Sequence, residues 1–297
     1  MSNKLRKMTL EKKHNLTGWA FLAPATFLIA VFSFWPMIKA LVLSFQTGKG
    51  RNMQMAGFTN YIRMFQDDVF IQSIKNTFFY FILQVPIMLV VAMVLACILN
   101  KKDLRFKGFF RTMIFVPCTT SLVAYSIIFR SLFANNGLVN YVLVNIGILD
   151  KPYNFLTQPF AAKIVIILAL LWRWTGYNMV FFLSGLQNIE YSVYEAAKID
   201  GASAIQTFFK ITVPLLKPTI LLTAIMSTNG TLQLFDESVN LTDGGPANAS
   251  ISMSHYIYNL CFKYVPNFGY AAAMSFFILL LVAVLAFIQM RVGDKRD

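Results

Sequence analysis

The stretch SVYEAAKIDGASAIQTFFKITVPLLKP, residues 192–218, lies between two strongly apolar segments and is itself too polar to cross a bilayer. Ser192 and Glu195 stand three residues apart, the spacing of a capping box, which predicts that a helix starts there. Gly201 predicts where that helix ends, because glycine accepts the left-handed conformation of a helix terminus. A second helix is expected from there to Pro214, at the start of the next apolar run. The stretch therefore predicts two short helices joined by a glycine elbow on one face of a membrane.

The order EAAxxDGA, followed by FFKITVPLLKP, resembles the EAA loop in the membrane subunits of binding-protein-dependent ABC importers. The positions that match this motif are Glu195, Ala196, Ala197, Asp200, Gly201 and Ala202. In that family the loop is a coupling helix that inserts into a cleft of a cytoplasmic ATPase. The resemblance implies the same role here for residues 190–213. The alternative is an ordinary amphipathic loop between membrane helices.

The composition of the whole chain is that of a polytopic membrane protein. Of its 297 residues, 57% are hydrophobic and 13% charged, and the mean hydropathy is +0.59. A membrane span needs about 20 apolar residues, and it must pair its own backbone groups, so the spans are predicted to be helices. The six predicted spans are 19–38, 76–99, 112–129, 164–183, 215–234 and 270–290. The predicted fold class is therefore an all-α membrane protein, with residues 17–292 forming the membrane domain.

Basic residues are distributed unevenly about these spans. The net charge is +13, and lysine and arginine are concentrated in the amino-terminal segment 1–16, the loop 101–111, the EAA stretch and the carboxyl tail. Basic loops stay on the cytoplasmic side of a membrane. We therefore predict that both termini and the EAA stretch are cytoplasmic. Membrane orientation explains the basic bias, so no nucleic-acid partner is expected.

Polar side chains inside the predicted spans are candidates for the wall of a transport path. Asn76, Tyr80 and Gln84 follow one another at every fourth residue and predict a polar stripe that faces the bundle or a wet cavity. Further along, Asn229, Gln233 and Asp236 recur at i, i+4 and i+7 and are predicted to share one helical face. The full set of path candidates is Tyr80, Gln84, Arg173, Trp174, Tyr177, Asn178, Asn229, Gln233 and Asp236. A packing role for several of them is the alternative.

Arg173 lies near the middle of a predicted span, in the sequence LWRWTGYNM. A charge at that depth is costly in lipid, so the guanidinium is expected to face the protein interior. It either lines the path, or neutralises an internal acid or caps backbone carbonyls. The surrounding residues Trp172, Trp174, Gly176 and Met179 are similar to the WxWxGxxM pattern that precedes the EAA loop in sugar permeases.

The predicted external loop after the fifth span contains LTDGGP, residues 241–246. Two glycines followed by proline predict a sharp turn. The segment resembles the LTxGGP signature on the external side of carbohydrate-importer permeases, which implies that Gly244, Gly245 and Pro246 approach the binding protein that delivers substrate. His255, further on, is predicted to be a surface or interface residue rather than a metal ligand.

Motifs of catalysis are missing from the sequence. It has no GxxxxGK[ST] motif, so ATP hydrolysis is not expected of this chain, and its three cysteines lack metal-ligand spacing.

The resemblance implies a six-helix permease with the type I ABC importer fold, serving carbohydrate uptake across a bacterial cytoplasmic membrane. It also implies a second homologous permease, a pair of ATP-binding cassette subunits that use ATP and Mg²⁺, and an extracytoplasmic solute-binding protein as partners. Membrane lipid is the remaining partner, and the chain itself needs no cofactor.

Two other classes of function fit parts of the sequence. Asp236 and Glu237, near a predicted membrane boundary, could form a proton or sodium site, which would make the chain a stand-alone secondary carrier or channel. That interpretation leaves the EAA stretch unexplained. A sensory or scaffold subunit would bind the ATPase without carrying solute.

Overall fold

The computed structural model of the chain describes residues 10–49, 52–101 and 103–293, and most of these are helical. In chain order the helices are α1 (Leu10–Ile29), α2 (Trp35–Ser44), α3 (Thr59–Met64), α4 (Asp68–Asn100), α5 (Lys107–Thr119), α6 (Leu122–Leu132), α7 (Leu138–Asn145), α8 (Pro159–Gln187), α9 (Tyr191–Ile199), α10 (Ala204–Thr207), α11 (Val213–Leu215), α12 (Lys217–Leu232), α13 (Asp236–Thr242), α14 (Met253–Tyr258) and α15 (Phe268–Gly293). Turns of π-helix at Ala30–Phe34, Phe208–Thr212 and Asn259–Lys263 continue α1, α10 and α14.

Four helical segments are long and apolar enough to cross a membrane without interruption. They are His14–Ser44, Asp68–Asn100, Pro159–Gln187 and Phe268–Gly293. Each contains one of the predicted spans, namely 19–38, 76–99, 164–183 and 270–290. Prolines inside α1 and α4 do not break these helices, as expected of membrane helices, which tolerate proline better than soluble ones do.

A bend interrupts the predicted span 112–129, and another lies at the start of the predicted span 215–234, most of which is α12. α5 and α6 meet at an angle of 98°, and the segment Ala204–Leu215 meets α12 at 71°. The first break follows Pro117, and the second lies beside Pro218 at the start of α12. Proline lacks the amide hydrogen that would continue a helix. The described chain therefore has six candidate spans if each bent pair is counted as one.

The all-α architecture includes one short β-hairpin, which follows α2. β1 (Gln46–Lys49) and β2 (Asn52–Met55) form an antiparallel hairpin in which Gln46 pairs with Met55. Asn60 of α3 holds this hairpin to the end of α2, because its Nδ2 donates to the carbonyl oxygens of Ser44 at 2.9 Å and Gln46 at 2.8 Å. The chain leaves its helical pattern at Ser44, where polar and glycine residues replace the apolar run.

α8 lies at the centre of the bundle and packs against α4, α5, α12 and α13. Gly176 allows α5 to cross it at close range, since a Cβ atom at that position would lie 1.9 Å from the carbonyl oxygen of Ile114. Gly269 has the same function at the start of α15, where a Cβ atom would lie 2.1 Å from the carbonyl oxygen of Gln46. These contacts explain two of the small residues in the apolar spans, because only glycine permits such an approach.

Residues 14–39 of the first helical segment pack little against the rest of the described chain, whereas the end of α2 packs against α15. Side chains 14–39 are all exposed, although the segment is strongly apolar. The predicted cytoplasmic segment 1–16 falls partly outside the described residues, which begin at Leu10, and the basic tail beyond residue 293 also lies outside them. The orientation of both termini remains a prediction.

Candidate functional site

The EAA stretch forms the predicted helix, elbow and second helix. α9 ends at Ile199, and Gly201 follows with a φ of 75° in the left-handed region. The amide of Gly201 donates to the carbonyl of Lys198 at 3.2 Å, and that of Ala202 donates to the carbonyl of Ala197 at 2.9 Å. This pair of hydrogen bonds is the Schellman motif, which closes a helix around a left-handed residue. The predicted glycine elbow is therefore confirmed.

The capping box is found at a different position from the predicted one. α9 begins at Tyr191, and Ser192 Oγ donates to a carboxylate oxygen of Glu190 at 3.3 Å instead of capping the helix. The capping box of this stretch starts α10: Ser203 Oγ accepts from the Gln206 amide at 3.3 Å, and Gln206 Oε1 accepts from the Ser203 amide at 2.8 Å. The sequence contains this signal as well, because serine and glutamine are three residues apart directly after the elbow.

The elbow projects an exposed surface from the end of the bundle. Glu195, Ala196, Asp200 and Gly201 are exposed, whereas Ala197 is buried and Ala202 is partly buried. Large apolar side chains are also uncovered on this surface, namely Ile199, Ile205 and Phe209, with Ile199 86% exposed. Exposed apolar side chains that cluster in this way mark interaction surfaces. A cleft of about 980 Å³ separates α9 and α10 from the carboxyl end of α4.

A second cavity, of about 350 Å³, lies deeper between α4, α6, α8, α12 and α13. Its walls mix aromatic, amide, hydroxyl and charged side chains with apolar ones. The lining residues are Gln84, Met88, Leu122, Leu170, Arg173, Trp174, Tyr177, Asn178, Met226, Ser227, Gly230, Thr231, Gln233, Leu234, Phe235, Asp236 and Glu237. This volume falls in the range of small-molecule sites, which is roughly 300 to 1,000 Å³.

Most of the predicted path residues line this cavity. The structure brings together Gln84, Arg173, Trp174, Tyr177, Asn178, Gln233 and Asp236. Tyr80 does not line it: it is fully buried, and its hydroxyl donates to the carbonyl of Ser250 at 2.9 Å, which ties α4 to the loop between α13 and α14. Asn229 does not line it either, since its exposed side chain bonds to that of Gln233.

The predicted common face of Asn229, Gln233 and Asp236 is wrong at its last member. α12 ends at Leu232, and Asp236 is the first residue of α13. A spacing of i+7 places residues on one face only while the helix continues. Asp236 reaches the cavity wall because the chain turns between the two helices, not because of helical periodicity.

Amide side chains in the cavity wall are held by neighbouring helices. Thr231 Oγ1 of α12 donates to Gln84 Oε1 of α4 at 2.9 Å. Asn178 of α8 donates to the carbonyl of Trp174 at 3.0 Å and accepts from Ser227 at 3.3 Å. The polar stripe on α4 is confirmed, since Asn76 and Gln84 are both buried. Asn76 Nδ2 donates to carbonyl oxygens of the loop between α13 and α14. Fixed rotamers of this kind present defined hydrogen-bonding groups to a ligand.

Arg173 lines the cavity and also caps a backbone carbonyl. It is 6% exposed, and its Nη1 donates to the carbonyl oxygen of Thr120 at 2.7 Å. Thr120 lies at the break between α5 and α6, where carbonyls have lost their helical partners. The guanidinium also lies over the rings of Tyr125 and Trp174, at 4.9 and 5.3 Å. Arg173 therefore caps a backbone carbonyl, as one interpretation predicts, while its place in the cavity wall leaves a role in the transport path a prediction.

Glu237 is a cavity residue that was absent from the predicted path. It is 4% exposed, and Tyr125 of α6 donates a hydrogen bond of 2.5 Å to its carboxylate. The pair joins segments far apart in the chain, so helical spacing gave no signal for it.

The GGP loop is built around a buried histidine. Gly244 has a φ of 74°, and a Cβ atom there would lie 3.2 Å from both His255 Cε1 and Ile251 Cβ. The prediction that His255 is a surface or interface residue is wrong in its first alternative, because His255 is 1% exposed and its Nδ1 lies 2.9 Å from Ser238 Oγ. Burial lowers the pKa of His255 to about 4; Asp243 opposes this shift and Lys263 adds to it. The imidazole is therefore neutral near pH 7.

No cluster of histidine, cysteine and acidic residues suited to a metal ion occurs among the described residues. Cys97, Cys118 and Cys261 are free thiols.

The comparisons with known proteins all point to membrane components of transport systems. A family model described as "Binding-protein-dependent transport system inner membrane component" matches residues 68–296. The chain is 51% identical over 292 residues to the lactose transport system permease protein LacF of Rhizobium radiobacter, covering 98% of each chain. It is 33% identical to the multiple sugar-binding transport system permease protein MsmF of Streptococcus mutans, covering 97% and 99%. A solved structure of a bacterial alginate ABC transporter, in complex with an alginate pentasaccharide-bound periplasmic protein, superimposes with a TM-score of 0.84 at 25% identity, covering 96% of each chain.

Proposed function

The chain belongs to the inner membrane components of binding-protein-dependent transport systems, and from this we propose that it forms one half of the translocation pathway of an ATP-driven sugar importer. It is a permease subunit and not an enzyme. The substrate class follows from its relatives, since LacF serves lactose transport and MsmF multiple-sugar transport. The best-supported substrate is a di- or oligosaccharide.

The observation that carries this proposal is the exposed elbow formed by α9, Gly201 and α10. A rigid helical elbow with uncovered apolar side chains suits insertion into a cleft of another protein. We propose that this partner is the ATPase, with Glu195, Ala196, Ala197, Asp200, Gly201 and Ala202 at the contact. ATP and Mg²⁺ would be used by the ATPase pair, and closure of that pair would move the elbow as a rigid body.

The cavity supports the second half of the proposal. Sugars are held by ring contacts with aromatic side chains and by hydrogen bonds to their hydroxyl groups. Trp174 and Tyr177 offer the rings, while Gln84, Asn178 and Asp236 offer hydrogen-bonding groups at one cavity. We assign the sugar path to this cavity, and completion of its wall to a second homologous permease in the same bacterial cytoplasmic membrane. The loop at Gly244, Gly245 and Pro246 would approach the extracytoplasmic binding protein.

The elbow is tested by replacing Gly201 with valine. The added Cβ atom meets no other group within 4 Å, so the effect is confined to the left-handed backbone, which costs about 1 to 2 kcal/mol for a residue with a side chain. We expect sugar-stimulated ATP hydrolysis in proteoliposomes to fall about tenfold, while the subunit still inserts and assembles. Gly18→Ala is the matched control, as it adds a Cβ atom in open space within a helix. Normal coupling in Gly201→Val would contradict the assignment.

The energy source distinguishes this proposal from an ion-coupled carrier. In such a carrier the carboxylates of Asp236 and Glu237, which line the cavity, would form the ion site. We expect uptake into proteoliposomes that contain the chain, its partner permease and the ATPase to require ATP and the binding protein. Uptake that survives ATP depletion and collapses with the ion gradient would favour the carrier. Recovery of the ATPase with the tagged chain from native membranes is the accompanying binding test.

A further inference from the structure

The short helix α3 has an apolar and a polar face side by side, and both are uncovered. Phe58, Ile62 and Phe65 follow one another at i, i+4 and i+7 along α3 and its two flanking residues, and each is between 58% and 68% exposed. Together they form the apolar face of α3. Thr59 and Arg63, four residues apart, are exposed on the adjoining polar face. This pattern is typical of a helix that lies at the boundary between lipid headgroups and acyl chains.

The third side of α3 is fixed to the bundle. Met64 is buried, and the hydroxyl of Tyr61 lies 2.8 Å from Ser44 Oγ at the end of α2. The guanidinium of Arg63 lies over the ring of Tyr270 of α15, at 4.3 Å. The direction of the apolar face is therefore set by α2 and α15, not by α3 alone.

The contacts with α15 show how deep each face lies. The ring of Phe65 packs edge-on against that of Phe277, with centroids 5.8 Å apart. Phe277 is nine residues from the start of α15, about 14 Å along its axis. The 26 residues of α15 are about 39 Å long, so a hydrocarbon core of about 30 Å centred on this helix begins about 5 Å inside each end. Phe65 therefore lies at the level of acyl chains, whereas Arg63, over Tyr270, lies at the level of headgroups.

The surroundings of the apolar face favour lipid over a protein as its neighbour. Leu280 and Val284 are exposed and follow Phe277 at i+3 and i+7, so the apolar face joins an exposed apolar stripe along this membrane span. A groove of about 540 Å³ lies on the opposite side of α15, where Ser275 and Ala283 line it. Small side chains permit close contact between helices, so that opposite side suits a protein partner.

We propose that α3 is an interfacial helix, whose apolar face inserts between the acyl chains of the leaflet at this end of the bundle. The distribution of basic residues predicts that this is the outer leaflet. Insertion removes three large apolar side chains from water, while Thr59 and Arg63 stay among the headgroups. Because α3 is held to α2 and α15, the inserted face fixes the depth of both helices in the bilayer. The inference depends neither on the solute nor on the role of the elbow.

The test is photo-crosslinking in the complex of this chain with its partner permease, the ATPase and the binding protein, reconstituted in nanodiscs of phosphatidylethanolamine and phosphatidylglycerol. The photoreactive residue p-benzoylphenylalanine replaces Ile62 or Phe65, and mass spectrometry identifies what it captures. We expect phospholipid adducts in which a fatty acid stays on the peptide after alkaline hydrolysis of the lipid esters. The same probe at Thr59 is the matched control and should give about fivefold fewer fatty-acid adducts.

Three outcomes would overturn the proposal. Capture of the partner permease or the binding protein at Ile62 and Phe65 would assign the apolar face to a protein. Equal fatty-acid adducts at Thr59 and Ile62 would place the whole helix among acyl chains and not at their boundary. The absence of adducts at Ile62 and Phe65 would place the apolar face in water.

The anchoring role is tested by adding a charge to each face. Ile62→Asp places a carboxylate among acyl chains, whereas Thr59→Asp places one among headgroups and is the matched control. We expect Ile62→Asp to lower the Tm of the complex in nanodiscs by several degrees and Thr59→Asp to leave it nearly unchanged. Equal Tm values in the two variants would overturn the anchoring role.

Discussion

Asp236 and Glu237 are consecutive in the sequence and yet have different surroundings. The carboxylate of Glu237 is buried and accepts from Tyr125, whereas that of Asp236 is partly exposed to the cavity and has no side-chain hydrogen bond to another described residue. If this cavity is the sugar path, as we propose, the Asp236 carboxylate would accept hydrogen bonds from sugar hydroxyl groups. Glu237, in contrast, holds α13 against α6. The two acids are therefore expected to respond differently to substitution.

Asp236→Ala should raise the KM for sugar uptake about tenfold with little change in assembly. The loss corresponds to about 1.4 kcal/mol, the size of one hydrogen bond to a charged acceptor. Initial rates of uptake against sugar concentration, with the binding protein saturating, measure the effect. Asn229→Ala is the matched control, because Asn229 is an exposed amide near the cavity that does not line it. An unchanged KM in Asp236→Ala would remove this residue from the path.

His255 predicts a dependence of stability on acid pH. Its pKa of about 4 in the folded chain is below the usual 6.5, because burial disfavours the charged form. Between these values the unfolded chain binds more protons, so the free energy of unfolding decreases as the pH falls from about 6.5 towards 4. Asp67, whose pKa is lowered by hydrogen bonds against the opposing effect of partial burial, adds a loss at still lower pH.

The measurement is the Tm of the purified subunit in detergent across this pH range. Comparison with His255→Asn isolates the histidine, since Asp67 contributes equally in both proteins. We expect the wild-type Tm to fall more steeply than that of the variant between pH 6.5 and 4. Parallel curves would show that His255 does not carry the dependence.

At the scale of elements, the EAA stretch owes its shape to two local devices. The Schellman motif at Gly201 ends α9, and the capping box from Ser203 to Gln206 starts α10. Only one residue, Ala202, separates the two devices, so the angle between the helices is fixed within a few bonds. Such an elbow can transmit a displacement without bending.

Ser203→Ala should weaken the elbow by about 1 kcal/mol, the usual effect of removing a helix N-cap. We expect faster amide hydrogen exchange in α10 and a reduced rate of sugar-stimulated ATP hydrolysis. Ser192→Ala is the control, because Ser192 bonds only to the exposed side chain of Glu190 and does not cap α9. Equal effects of the two substitutions would contradict the assigned role of the capping box.

The elements that the sequence failed to predict share a physical cause. Hydropathy locates apolar segments but carries no information on direction, so the bends of 98° between α5 and α6 and of 71° before α12 were not foreseen. Long-range pairs such as Tyr125 with Glu237 and Tyr80 with Ser250 depend on packing that helical periodicity does not encode. Predictions from local sequence spacing were more accurate than those of long-range contacts, since spacing alone predicts both the glycine elbow and the polar stripe on α4.

At the scale of the whole molecule, the orientation in the membrane can be tested by thiol labelling. With the native cysteines replaced by alanine, Ala204→Cys in α10 and Lys151→Cys in the loop after α7 offer single exposed sites. Because basic loops remain in the cytoplasm, a membrane-impermeant maleimide should label Lys151→Cys in spheroplasts and label Ala204→Cys only after lysis. Labelling of Ala204→Cys in intact spheroplasts would reverse the predicted topology.

The exposed first helix has a consequence for how the cell controls subunit number. Side chains 14–39 of this apolar segment find almost no cover within their own chain. A subunit made in excess would expose that whole surface until its counterpart, the proposed second permease, packed against it. In an assembled subunit, part of the surface would be buried. Degradation of such surplus copies would keep the amount of this chain in proportion to that of its counterpart.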